Sequence, residues 1–189
     1  WAHDGSNPAE VCRSVWYSCA NYRVNIFQRG NRVFIRDLNK FDDRYTERFT
    51  ERPCEAWDAV YDNLPMVDGR IWSKEGKDCA LSPEFTARPT GFTCVEHGQA
   101  LEVILHFENT VQGLIYLSPK GISFEACGVL TYTVGEPRDT AISFADKTFS
   151  FIHNGYSYAI PVEGCRTEVT EEGYRLIPTA KVLLDMAKR

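Results

Sequence analysis

Asn154 to Glu168 reads NGYSYAIPVEGCRTE, and with the residues before it, TAISFADKTFSFIH (Thr140 to His153), it sets the fold class. Asn154-Gly155 is a strong signal for a two-residue hairpin turn, because both positions tolerate positive φ. Phe149, Phe151, Tyr156, Tyr158 and Ile160 alternate on either side of it, as strands half-buried on one face require. Pro161 lacks a ladder donor, so its strand is expected to run at an edge or to bulge there. Cys165 then raises a chemical question: it is either a disulfide staple or a thiol nucleophile served by His153.

The same β signature extends outward. YRVNIFQRGNRVFIRDL (Tyr22 to Leu38) is two alternating runs around Gly30-Asn31 and predicts a hairpin. In ALEVILHF, Leu101, Val103, Leu105 and Phe107 fall on one face, with Glu102 and His106 on the other. Asn7 to Cys19 (NPAEVCRSVWYSC) is expected to be a short helix, opened by a polar residue and Pro, with Val11, Val15 and Trp16 near one face. YRLIPTAKVLLDMAKR predicts either a strand broken at Pro178 or a short terminal helix. The Pro- and Gly-containing SPEFTARPTGF places an expected domain boundary near residues 88–91. The fold class is therefore mainly β with a short helix, and the regular spacing of short strands predicts a β-sandwich.

With 43% hydrophobic and 13% aromatic residues, the 189-residue chain has material for a proper core. A formal charge of −5, evenly interspersed, gives no basic footprint for nucleic acid. Apolar runs are strand-sized, so no membrane insertion is expected. WAHDGSNP carries no charged-then-apolar leader, so any signal peptide is expected to have been removed already.

Seven cysteines lie at positions 12, 19, 54, 79, 94, 127 and 165. Zinc sites favour short paired spacings, and here the closest pair has six residues between. Disulfides in an oxidising compartment are the better reading, with one cysteine of the odd number left over. No cofactor or metal is expected. Chemistry is weighed at His106 and His153 as partners of a thiol, and at the carboxylates Asp42-Asp43, Glu171-Glu172 and Asp58/Asp62. A looser cation site around Asp37, Asp42 and Asp43 is a further possibility. Each has a blander reading as solvated surface. No nucleophile elbow, phosphate loop or dinucleotide fingerprint is present. Phe149, Phe151, Tyr156 and Tyr158 are weighed as core and as an aromatic interaction stripe on an edge strand.

The segment CVEHGQALEVILHFENTVQGLIYLSPKGISFEAC, then YSYAIPVEGCRTE and GYRLIPTAKVLLDM, resembles the N-terminal half of a zona pellucida module (ZP-N). CEAWDAVYDNLPMVDGRIWSKEGKDCALS resembles the closing part of a PAN/apple module. The first resemblance implies a disulfide-stapled immunoglobulin-like sandwich over 91–189, with Cys127 bonded to Cys165 and Cys94 left unpaired in this chain. The second implies a small α+β module over 1–90, with Cys54 bonded to Cys79; a Cys12–Cys19 bridge on the expected helix is a further expectation, not one the resemblance supplies. Together they imply a secreted, non-enzymatic extracellular-matrix protein that polymerises or assembles with other proteins through strand edges. The alternatives are a periplasmic or secreted soluble binding protein of inhibitor or immunity type, and a small secreted hydrolase.

Overall fold

The computed structural model describes residues 12–55, 63–69, 79–108, 112–134 and 140–187. They are mainly β, in a nearly closed antiparallel sheet. Five strands make one arm: β1 (Cys12–Ser18), β2 (Tyr22–Arg29), β3 (Arg32–Lys40), β5 (Ala80–Pro83) and β10 (Leu130–Thr133), with β4 (Leu64–Val67) added to β3. Four make the other: β6 (Pro89–His97), β7 (Ala100–Phe107), β8 (Gly113–Ser118) and β9 (Gly121–Glu125). The arms meet on β14 (Gly173–Asp185), whose other edge carries β13 (Tyr156–Val169), followed by β12 (Thr148–His153) and β11 (Thr140–Ala145).

β14 joins the arms by changing partners along its length. Its residues Gly173 to Leu176 pair with β10, and Val182 to Asp185 pair with β9. Pro178, which has no N–H to donate, sits in the changeover stretch. On the opposite edge β13 makes a matching bulge between Glu163 and Cys165. Gly164 permits it: its φ is +75°, and a Cβ there would lie 2.0 Å from the Lys181 carbonyl oxygen. Strands that bend through a bulge are the usual way one sheet turns a corner and faces itself.

The facing arms enclose one core. Val24, Ile26, Ile35, Leu38 and Leu81 from the first arm are fully buried with Val103, Leu105 and Leu117 from the second. Tyrosine hydroxyls tie the layers together. Tyr22 Oη lies 3.0 Å from the Ser118 carbonyl and 3.1 Å from that of Gly121. Tyr158 donates to the Pro65 carbonyl at 2.6 Å, and Tyr132 donates to that of Met66. Buried hydroxyls need such acceptors, and each bond spans elements distant in sequence. The boundary expected at residues 88–91 falls at the start of β6, and strands on both sides of it share the sheet and the core.

The turns at Gly30-Asn31 and Asn154-Gly155 form as the sequence predicts, with φ of +58°, +49° and +79° at Gly30, Asn154 and Gly155. Pro161 is the last β13 residue paired with β12, and the next residue pairs with β14. It therefore marks a handover between partner strands. The helix expected over Asn7–Cys19 is not formed in its described part: Cys12–Ser18 is β1, in unbroken antiparallel register with β2. Val15, Trp16 and Tyr17 are β-branched or aromatic, and the adjacent β2 edge gives their backbone a ladder that a lone helix turn cannot match.

Candidate functional site

The main strand path ends at β1 and β6, and neither has a second ladder partner among the described residues; β4 and β11, off that path, also pair with one strand each. β1 and β6 face each other. At one end, Gly91 leaves room for Arg13: a Cβ at Gly91 would lie 2.5 Å from an Arg13 guanidinium nitrogen. At the other, the Tyr17 hydroxyl donates to the Gln99 carbonyl at 2.7 Å. Since 13 lies opposite 91 and 17 opposite 99, the two strands run in the same direction along an open seam.

Directly paired residues of antiparallel strands share a face, so register sorts the lining. Arg13, Val15 and Tyr17 pair with Gln28, Ile26 and Val24, all buried, and so sit on the inner face of β1. Phe92, Cys94 and Glu96 pair with Leu105, Val103 and Leu101 and sit on the inner face of β6. On the outside, Trp16 is 53% exposed and Val95 41%. The large exposed hydrophobics among the described residues are these two with Ile152 and Val169, so two of the four border this one seam. The Tyr17 end opens into a cavity of ≈ 550 Å³ lined by Trp16, Tyr17, Cys19, Glu96, Gln99 and Leu101, among others. Burial and the neighbouring Cys19 push the Tyr17 phenol up to about 12. At the pH of ordinary buffers it stays a hydrogen-bond donor.

The residues singled out from the sequence fall elsewhere. Phe149, Phe151 and Tyr158 are buried core side chains, and Phe151 stacks on Tyr158 with centroids 4.9 Å apart. They are not an interaction stripe, because the face of the hairpin that carries them packs inward against β4 and β10. Tyr156, at the hairpin tip, lies 5.1 Å from the Tyr45 ring and shares a hydrogen bond with Asp42.

None of the expected disulfides is made: all seven thiols are free. Cys12 opens β1 and Cys19 follows its end, which at about 3.3 Å per residue separates them by roughly 20 Å. Cys165 sits on β13 against one edge of β14, whereas Cys127 belongs to the β9–β10 connection against the other. Two strand spacings, about 10 Å, then lie between them, beyond the roughly 7 Å reach of a bridge between Cα atoms. Cys54 is exposed, whereas Cys79 is buried against the Asp68 backbone. Cys94 is free and exposed on the seam itself.

The catalytic possibilities take other partners. His153 Nδ1 is 2.6 Å from Thr140 Oγ1, and its Nε2 is 3.0 Å from Asn154 Nδ2. His106 Nε2 is 3.0 Å from Thr93 Oγ1. Burial pushes the Cys79 and Cys127 thiols up to about 12 and raises Cys94 and Cys165 as well, which disfavours thiolate. Asp42 accepts from the Arg44 guanidinium at 2.9 and 2.6 Å, which holds its carboxyl well below the usual range. Asp37 accepts from Arg23 at 3.2 Å and from Asn39 at 2.8 Å. These carboxylates are thus occupied by donors, and no cluster suited to a metal occurs among the described residues. Asp58 and Asp62 lie outside them. No described helix is long and apolar enough to cross a membrane.

Comparison with protein-family models, with curated proteins and with solved structures finds no match to this chain.

Proposed function

We propose that this chain is a non-enzymatic assembly module of a secreted, matrix-building protein, and that it joins other protein strands through the seam between β1 and β6. What supports the reading is one observation: the main strand path ends at two strand edges that face each other without a ladder between them among the described residues, flanked by exposed Trp16 and Val95. Edges with unpaired N–H and C=O groups template further pairing unless they are blocked; Pro89 stands only at the start of β6, and the inward charges of the two edges, Arg13 and Glu96, stand at opposite ends of the seam. Because β1 and β6 run the same way, one inserted extended segment pairs antiparallel with both. The ordered tyrosine and histidine partners and the raised thiols also suit a binding role better than nucleophilic catalysis.

Strand-edge association is the mechanism that the ZP-N resemblance implies. The ZP-N-like and PAN/apple-like assignments stay within this proposal as readings of 91–189 and 1–90. In support of the first, β6 to β9 pair in succession and join β14, which carries β13, β12 and β11, although β10 of the same part also pairs with β5. The test is sedimentation velocity over a hundredfold range of concentration. Wild-type protein is expected to form oligomers that the double variant Trp16→Glu/Val95→Lys weakens at least tenfold. Oligomers unaffected by that variant would move assembly away from the seam.

A further inference from the structure

The cavity at the Tyr17 end has an unbalanced chemistry. Among the described residues its lining includes the inward Tyr17 ring, one carboxylate, Glu96, and Trp16 at the outer rim, with no lysine, arginine or histidine. Glu96 sits on the inner face of β6 and is exposed, and it makes no ion pair among the described residues. The neighbouring charges point away. His97 and Glu102 pair with each other at 2.8 Å, and register puts His97 on the outer face with Ala100 as partner. The Tyr17 hydroxyl is already committed to Gln99, so it holds the rim without offering a second charge. At the opposite end of the same seam stands the Arg13 guanidinium.

We infer that the segment docking in the seam is an extended strand whose lysine or arginine side chain enters this cavity, between the Tyr17 ring and the Glu96 carboxylate, with Trp16 at the outer rim. Aromatic faces attract a cation through their quadrupole, and a carboxylate within a partly enclosed site adds to that attraction more than it would on an open surface. Valine-sized side chains at alternate positions of the strand lie against Val15 and Phe92, which places the base at one end of an apolar stripe. The cavity volume of ≈ 550 Å³ accommodates either basic side chain together with ordered water. The inference rests on the seam being the docking site, and the experiment separates the two.

Two N-acetylated heptapeptide amides are titrated into isotopically labelled full-length protein and followed by NMR: alternating valine and threonine with one lysine, and the same peptide with glutamate replacing lysine. Expected is perturbation of β1 and β6 amides and of the Trp16 indole by the lysine peptide, with affinity about five- to tenfold above that of the glutamate peptide. Glu96→Gln is expected to remove most of that preference while leaving the edge amides responsive. Equal affinity of both peptides, or a preference that survives in Glu96→Gln, overturns the cation site and leaves strand docking standing. If neither peptide perturbs β1 and β6, strand docking falls, and the cation site with it.

Discussion

Substituting alanine at Gly164 tests the corner on which the fold depends. Gly164 and Gly155 both have strongly positive φ, +75° and +79°. A left-handed alanine costs about 1–2 kcal/mol at either site, offset by about 0.4–1 kcal/mol from the loss of unfolded-chain freedom. They differ in surroundings. A Cβ on Gly155 meets nothing within 4 Å, whereas one on Gly164 would lie 2.0 Å from Lys181 O and 2.7 Å from its carbonyl carbon. Backbone must move to relieve that contact, and it is the backbone by which β13 holds β14 as the sheet turns. Overpacking of this kind costs about 1–3 kcal/mol more. Gly155→Ala is thus expected to destabilise by about 0–1.5 kcal/mol and Gly164→Ala by about 1–4. At 2–4 °C per kcal/mol for a chain of this size, the melting temperatures should differ by about 2–12 °C. Urea denaturation followed by tryptophan fluorescence measures both. Equal losses in the two variants would mean that β13 and β14 do not approach as closely as described.

Two further expectations concern the cysteines and alkaline pH. Burial raises Cys79 and Cys127 from 9.0 to about 12, and Tyr22, Tyr132 and Tyr158 are raised further above their ordinary range by the same cause. The unfolded chain releases these protons first, so the stability they contribute is complete below about pH 9 and is lost as pH rises toward 12. Unfolding free energy measured from pH 8 to 11 should fall steadily, and a flat profile would argue that these groups are solvated. Peptide mapping under mild oxidation should find no Cys127–Cys165 linkage, because β14 separates the two; recovery of that peptide in high yield from folded protein would contradict the strand order.

Much of the local structure was legible in the sequence, because turns and alternation are encoded within a few residues. Gly30 at the first hairpin and Asn154 with Gly155 at the second carry the positive φ that the turns need, and Leu101 to Phe107 show the inward face of β7 directly. Pro161 announced a break in pairing. What could not be read is how distant segments meet. β5 lies between β3 and β10, and β14 exchanges β10 for β9, so neither the union of the two halves nor the side of β14 that each cysteine occupies follows from spacing. The seam is equally non-local, since Tyr17 and Gln99 stand 82 residues apart. Its clearest local signal was Trp16-Tyr17 beside Val15, aromatic and β-branched residues that favour a strand, but the apparent helical spacing of Val11 and Val15 competed with it. Phe149, Phe151 and Tyr158 show the opposite difficulty: alternation identifies a face but does not say whether another layer covers it.

Hydrogen exchange at two protein concentrations a hundredfold apart addresses docking at the seam most directly. Amides of Arg13 to Tyr17 on β1 and of Phe92 to Glu96 on β6 that exchange quickly in dilute protein should become protected when it is concentrated, while those of β11 stay unchanged. Unchanged exchange on both edges as the protein assembles, or protection confined to β11, would show that the seam does not join chains.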